Sequence, residues 1–219
     1  MSQMRLRITF SKGRQLKYIS HLDLALTWTR ALRRAGVPLA YSQGYNPQAK
    51  TQLASGLPLG YTGAAEVMDV IFTDRMAPEE FIGCVDPTLP EGLSIVGAEE
   101  VPLKAPSPQS ALRQAVYRVT VETSLTELEL NRRVANLIAS DQLEQQRVRK
   151  GRVEAFDLRP LVDDVRLEAI GDGQAVFFMR LSAGQHGNVR PDAVLAALGL
   201  EDAFAQVERT RLLFEFDSL

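Results

Sequence analysis

The sequence predicts an α+β protein of two tandem halves, each a β-α-β-β-α-β run folding into an antiparallel sheet. Three observations predict it. Apolar residues alternate at period two in several short segments and recur at helical spacing in others. A stretch rich in proline, "PLKAPSPQS", interrupts the chain after Val101. The order of elements before that stretch returns after it, and this order is the split βαβ pattern of a ferredoxin-like domain. The halves are residues 1–101 and 112–219, with residues 102–111 as linker.

"RLRITF" reads as the first strand, with Leu6, Ile8 and Phe10 on one face, and "QLKYI" as a second short one. Ser20 with Asp23 three residues on is a helix start, and Gly36 followed by Pro38 is a stop. "LAY", "TQLASGLPLG" and "AEVMDVIF" read as extended segments. "APEEFIGCVD" reads as a helix with Pro78 in its first turn, and "LSIVGAEEV" as a closing strand. After the linker come a strand "AVYRVTVE", a helix capped by Thr126, and a basic extended piece "EQQRVRKGR". A strand "QAVFFMRLS", a helix "NVRPDAVLAALG" and a strand "VERTRLLFEF" complete the second half.

Composition excludes several classes of function. Apolar residues make up 45% and charged residues 24%, ordinary for a globular protein. A single cysteine, Cys84, forms no internal disulfide, which suits a reducing cytoplasm. The N-terminus has no apolar stretch following its charges, and no apolar run reaches the roughly 20 residues that span a bilayer. One cysteine and two distant histidines, His21 and His186, make no metal set, and neither a phosphate-binding GxxxxGK[ST] nor a GxSxG elbow occurs. No cofactor is expected.

The net charge of −2 conceals a segregation. Residues 1–60 hold nine Lys or Arg against Asp23 alone, whereas residues 61–110 hold two against nine acids. Segregation of this kind speaks about partners rather than fold. On the first helix, at about 100° per residue, Leu22, Ala25, Leu26, Thr29 and Leu32 form the expected core face. Arg30 and Arg34 fall on the solvent side, and Arg33 and His21 beside the apolar arc. Arg33 there either snorkels at the helix end, where a cation suits the dipole, or faces a ligand. The following "SQGYNPQAK" needs its Gly44, Asn46 and Pro47 to turn, but not its Tyr45 and Lys50. Arginine forks, a lysine charge and a tyrosine face suit an irregular or single-stranded RNA. Each residue alone reads as a solvated cation; together Arg30, Arg33, Arg34, Tyr45, Asn46 and Lys50 read as a surface that holds an anion. Arg147, Arg149, Lys150 and Arg152 form a second basic run, either a solvated edge strand or a further nucleic-acid contact. Arg159 and Arg190, each next to a proline, are expected to pair with Asp157, Asp163 or Asp192. For catalysis the weak candidate is His21, as acid and base in a metal-independent ribonuclease.

The elements "SHLD" (Ser20–Asp23), "RALRRAGVP" (Arg30–Pro38), "SQGYNP" (Ser42–Pro47) and "LPLG" (Leu57–Gly60) resemble the bacterial radical SAM-linked protein family. That family is a domain of unknown function encoded beside, or fused to, a radical SAM protein. The resemblance covers about residues 5–100, and departs from the family after Asn46-Pro47, where Gln48-Ala49-Lys50 replaces a proline and a basic residue. It implies a radical SAM protein as partner, and a chain that lacks that enzyme's own cysteine triplet. The expected function is a non-catalytic accessory protein presenting a basic surface to RNA or another anionic substrate. The alternatives are the His21 ribonuclease and a purely protein–protein interaction module.

Overall fold

A computed structural model describes residues 3–149 and 152–218, with side chains throughout except at 147–149, 152 and 218. Alternation in the first strand sets up the sheet of the first unit, which runs to Leu112 and takes in the chain again from Phe214. Strand β1 (Met4–Lys12) turns Leu6, Ile8 and Phe10 to one face, all fully buried. The short β2 (Thr51–Leu53) and long β3 (Thr62–Phe72) follow helix α1 (His21–Arg34); β4 (Leu93–Val101) follows helix α2 (Pro78–Val85). Their order in the sheet is β4, β1, β3, β2, and each pairing is antiparallel. Both helices supply the apolar core: Trp28 of α1 meets Phe10 edge-on at 5.0 Å, and Phe81 of α2 meets Phe72 at 5.8 Å. Full burial of such side chains contributes about 1.5–3 kcal/mol each.

The core face of α1 differs from the expected one. Leu24, Trp28, Ala31 and Leu32 are buried, whereas Leu22 and Leu26 are 77% and 46% exposed. Trp28 decides the rotation, because its indole is the largest apolar surface on the helix, and Leu24, Ala31 and Leu32 share its stripe.

Three expected strands are also corrected. "QLKYI" is no strand but a single 3-10 turn at Arg14–Leu16, where Leu16, Lys17 and Ile19 each bond back three residues. "LAY" makes only isolated bridges, Leu39 to Phe72 and Tyr41 to Ala49, because Pro38 leads the chain into a loop. Of "TQLASGLPLG" only Thr51–Leu53 pairs as a strand. The Pro-rich segment after β4 carries a short helix α3 (Pro108–Ala111), capped by Ser107, which packs on β2 and β3.

The second unit is Arg113–Leu213. Strand β5 (Leu112–Glu122) leads to helix α4 (Glu127–Ala139), which starts at a capping box between Thr126 and Glu129. A separate hairpin, β6 (Glu144–Arg149) with β7 (Arg152–Asp157), precedes β8 (Val162–Gly171) and β9 (Gln174–Ser182). Helix α5 (Pro191–Ala197) and β10 (Ala205–Phe214) complete the run, and the main sheet is ordered β10, β5, β9, β8. The basic "EQQRVRKGR" is therefore not the strand beside β9; β8 takes that place. An Asp172-Gly173 turn with φ of 53° and 72° joins β8 to β9, the conformation that a tight hairpin demands. Among the described residues no helix is long and apolar enough to cross a membrane.

Candidate nucleic-acid interface

Strand alternation that sends Leu6 and Ile8 to the helices sends Arg5 and Arg7 to the opposite face of the first unit's sheet. There the register sets Arg7 opposite Asp69, and Asp69 opposite Gln52, in one row across β1, β3 and β2. Asp69 accepts from Arg5 Nε at 2.6 Å and Arg7 Nε at 2.9 Å, and both arginines add an Nη2 donor. Arg5 also donates to the carbonyls of Ala105 (2.7 Å) and Pro106 (3.0 Å), and Arg7 to that of Pro106 (3.2 Å). The Arg7 guanidinium lies 4.4 Å from the centre of the Phe216 ring, which stacks on Phe214. All three charged side chains are buried. Two guanidiniums sharing one carboxylate leave a unit of positive charge unmatched within the cluster. Carbonyl oxygens and a ring face satisfy the donors without cancelling that charge.

Beside this cluster lies a cavity of about 300 Å³ whose walls include Arg5, Lys50, Gln52, Asp69 and Ser107. Lys50 is exposed and makes no ion pair among the described residues. Its place is fixed by its backbone: its N–H donates to Ala40 and its carbonyl accepts from Ile71. A second cavity, of about 260 Å³, sits at the edge strand β2 and is walled by His21, Trp28, Gln52, Ser55, Gly56 and Gln109, among others. Two of these wall residues are bonded to each other, Gln52 Nε2 donating to Gln109 Oε1 at 3.0 Å. The buried indole N–H of Trp28 has no acceptor among the described residues, a state that costs about 1–3 kcal/mol.

The residues singled out from the sequence fall into three groups. Arg30, Arg33, Tyr45, Asn46 and Lys50 are exposed in the first unit. Arg33 places its guanidinium 5.6 Å from the Tyr41 ring centre. The turn bearing Tyr45 and Asn46 is closed at its base by Ser42 N–H to Gln48 O (2.8 Å) and Gln48 N–H to Ser42 Oγ (3.0 Å). Arg34 is engaged otherwise, donating to the Thr88 carbonyl at 2.6 Å. His21 is exposed at the start of α1, and a methyl placed on Gly56 would touch its ring at 3.7 Å. His186 lies exposed in the loop between β9 and α5. Lys150 is outside the described residues, as are the side chains of Arg147, Arg149 and Arg152; the backbone pairs Arg147 with Glu154 and Arg149 with Arg152.

Contrary to expectation, Arg159 makes no ion pair among the described residues. It donates to the carbonyls of Ile138 (3.1 Å) and Val162 (2.7 Å), while Asp157 accepts from backbone N–H groups. Asp163 pairs instead with Arg180. Sequence reading missed Arg5, Arg7, Asp69, Trp28, Gln52 and Gln109. One signal was present: a carboxylate inside the apolar "VMDVIF" demands a buried partner, and the odd positions of "RLRITF" supply two.

Taken together, these features define a mixed α+β protein with a large, mostly antiparallel sheet and few helices. Residues 5–191 match the family described as "Uncharacterized protein conserved in bacteria (DUF2344)", and the chain belongs to that family. No curated protein matches it. Among solved structures, a chain of a Cbf5-Nop10-Gar1 complex is similar with a TM-score of 0.54 and 12% identity, covering 94% of this chain and 48% of that one. A chain of an H/ACA RNP bound to a substrate RNA containing 2'-deoxyuridine gives 0.50 and 11%, covering 94% and 47%. At these identities the likeness is one of fold alone, and this chain spans about half the length of these two solved chains.

Proposed function

We propose that this protein is a non-catalytic accessory protein whose first unit presents a basic surface to RNA or another anionic substrate, working beside a radical SAM protein. One observation carries the reading: Arg30, Arg33 and Lys50 are exposed with no carboxylate partner among the described residues, and the fully exposed Tyr45 ring lies in the same segment. Unpaired cations with free aromatic faces suit phosphates and unstacked bases. That one fold neighbour is a chain from an H/ACA RNP bound to a substrate RNA makes RNA the first polyanion to try. Two ferredoxin-like halves are part of the same reading, supported by the order last, first, third, second of the main strands in each unit.

The test is a titration of total small cellular RNA at two salt concentrations, alongside a folded Arg33→Glu/Lys50→Glu variant. Phosphate contacts release counterions, so wild-type affinity falls steeply with salt and the variant binds little. Salt-independent binding, or equal binding by the variant, rejects the reading.

The radical SAM partner comes from the family resemblance, and the exposed Leu22 and Leu26, one turn apart on α1, are where a partner protein is first sought. Apolar groups left in water favour a protein contact. Leu22→Asp/Leu26→Asp is expected to abolish co-purification with a radical SAM protein from a native host at low salt; absence of any such protein with the wild type rejects the partnership.

A further inference from the structure

We propose that the cavity at the edge of β2 is a nucleotide subsite, with a base held between His21 and the Gln52–Gln109 pair and its phosphate at Lys50. The inference rests on the anion-binding reading of the same unit and adds to it the kind of group that is recognised. The two cavities share Thr51 and Gln52 in their walls, so they adjoin at β2, and a ligand reaching both passes over the edge of that strand. Lys50 and Gln52 are two strand positions apart, about 7 Å at some 3.3–3.4 Å per residue. A nucleotide separates its base edge from its phosphate on the same scale.

The chemistry of the inner cavity selects a base. At about 260 Å³ it is smaller than the roughly 300–1,000 Å³ clefts that take larger ligands, and it suits one heteroaromatic ring with its substituents. Gln52 and Gln109 spend one donor and one acceptor on each other. Whichever way the two amides are turned, that bond leaves an acceptor oxygen on one and an NH₂ donor on the other. A neighbouring donor and acceptor complement a base edge that offers an amide-like acceptor and donor. The imidazole of His21 adds a flat face and a further hydrogen-bonding nitrogen. The outer cavity supplies the charge, with Lys50 unpaired beside the Arg5–Arg7–Asp69 cluster and its excess of one positive charge.

Trp28 is the chain's one tryptophan and lies in the wall of the inner cavity, so its emission reports occupancy. The full chain is titrated with each ribonucleoside 5′-monophosphate, and with ribose 5-phosphate and inorganic phosphate as probes without a base. At least one monophosphate is expected to change the emission saturably, whereas the two probes leave it unchanged over the same range. Gly56→Leu places a side chain toward the cavity from a position with ordinary φ, where an added Cβ makes only van der Waals contact with His21, and circular dichroism checks that the variant is folded. That variant is expected to weaken the monophosphate by about tenfold or more. Absence of an emission change with every monophosphate, or equal binding by a folded Gly56→Leu variant, overturns the subsite. Salt-dependent RNA binding in the same preparation then leaves the basic-surface reading standing, and its loss as well overturns both.

Discussion

Asp69 lies directly across the β1–β3 ladder from Arg7 and accepts from its guanidinium at 2.9 Å while also holding Arg5. A single carboxylate thus neutralises one of two buried cations, and the Ala105 and Pro106 carbonyls take the donors that remain. Removing the carboxylate leaves two guanidiniums facing each other out of water. Asp69→Asn is therefore expected to destabilise the protein by about 3–5 kcal/mol, the usual cost of breaking a buried ion pair on one side. Urea unfolding measures it, and a loss below about 1 kcal/mol, the range of surface pairs, contradicts the described burial.

Leu22 and Leu24 are neighbours on α1 with opposite surroundings, one 77% exposed and the other 3%. Leu24→Ala is expected to cost about 2–5 kcal/mol, the range for buried leucines. Leu22→Ala, away from the core, stays within about 0.5 kcal/mol. Thermal unfolding of the pair reads the orientation of the helix: a reversed order would restore the face expected from the sequence.

The cap of α4 is sensitive to acid. Glu129 accepts from the Thr126 N–H at 2.8 Å and its hydroxyl at 2.7 Å, and these bonds hold its carboxyl below the usual range, the backbone donor contributing most. A pKa lowered in the folded state adds stability above the unfolded value and loses it as pH falls through the folded one. Glu129→Ala is thus expected to be less stable than wild type near neutrality, with the difference closing on acidification. Thr126→Ala removes the hydroxyl cap as well and costs about 0.5–2 kcal/mol. A gap that stays constant from neutral to acidic pH would contradict the carboxylate's role.

Legibility from sequence followed the range of the interaction. Thr126, Gly36 with Pro38, and Pro78 are local signals, and the helices begin and end where those residues place them. "RLRITF" announced its strand because alternation within one segment suffices. Strand β8 was passed over although the Asp172-Gly173 turn marked its end, because its two buried residues, Val162 and Val165, stand three apart across a shift in register, and the alternating Val165, Leu167 and Ala169 are a short run among charged residues. The rotation of α1 was misread because counting from Leu22 weighs all apolar residues alike, and only the packing of Trp28 on Phe10 separates them. In the candidate site, Arg33, Tyr45 and Lys50 were legible as exposed residue types. Gln52 and Gln109 were not, since 57 residues separate them and only folding makes them a pair.

The first unit is interrupted in sequence, and its last contributor, Phe216 against Arg7, is made only after all of Arg113–Leu213. At about 5–20 residues per second, on the order of 100 intervening residues take roughly 5–20 s to synthesise. During that interval the core around Phe10 and Trp28 has all its own residues, while Arg7 still waits for its aromatic cover. On the ribosome, the unit begun first is the one finished last.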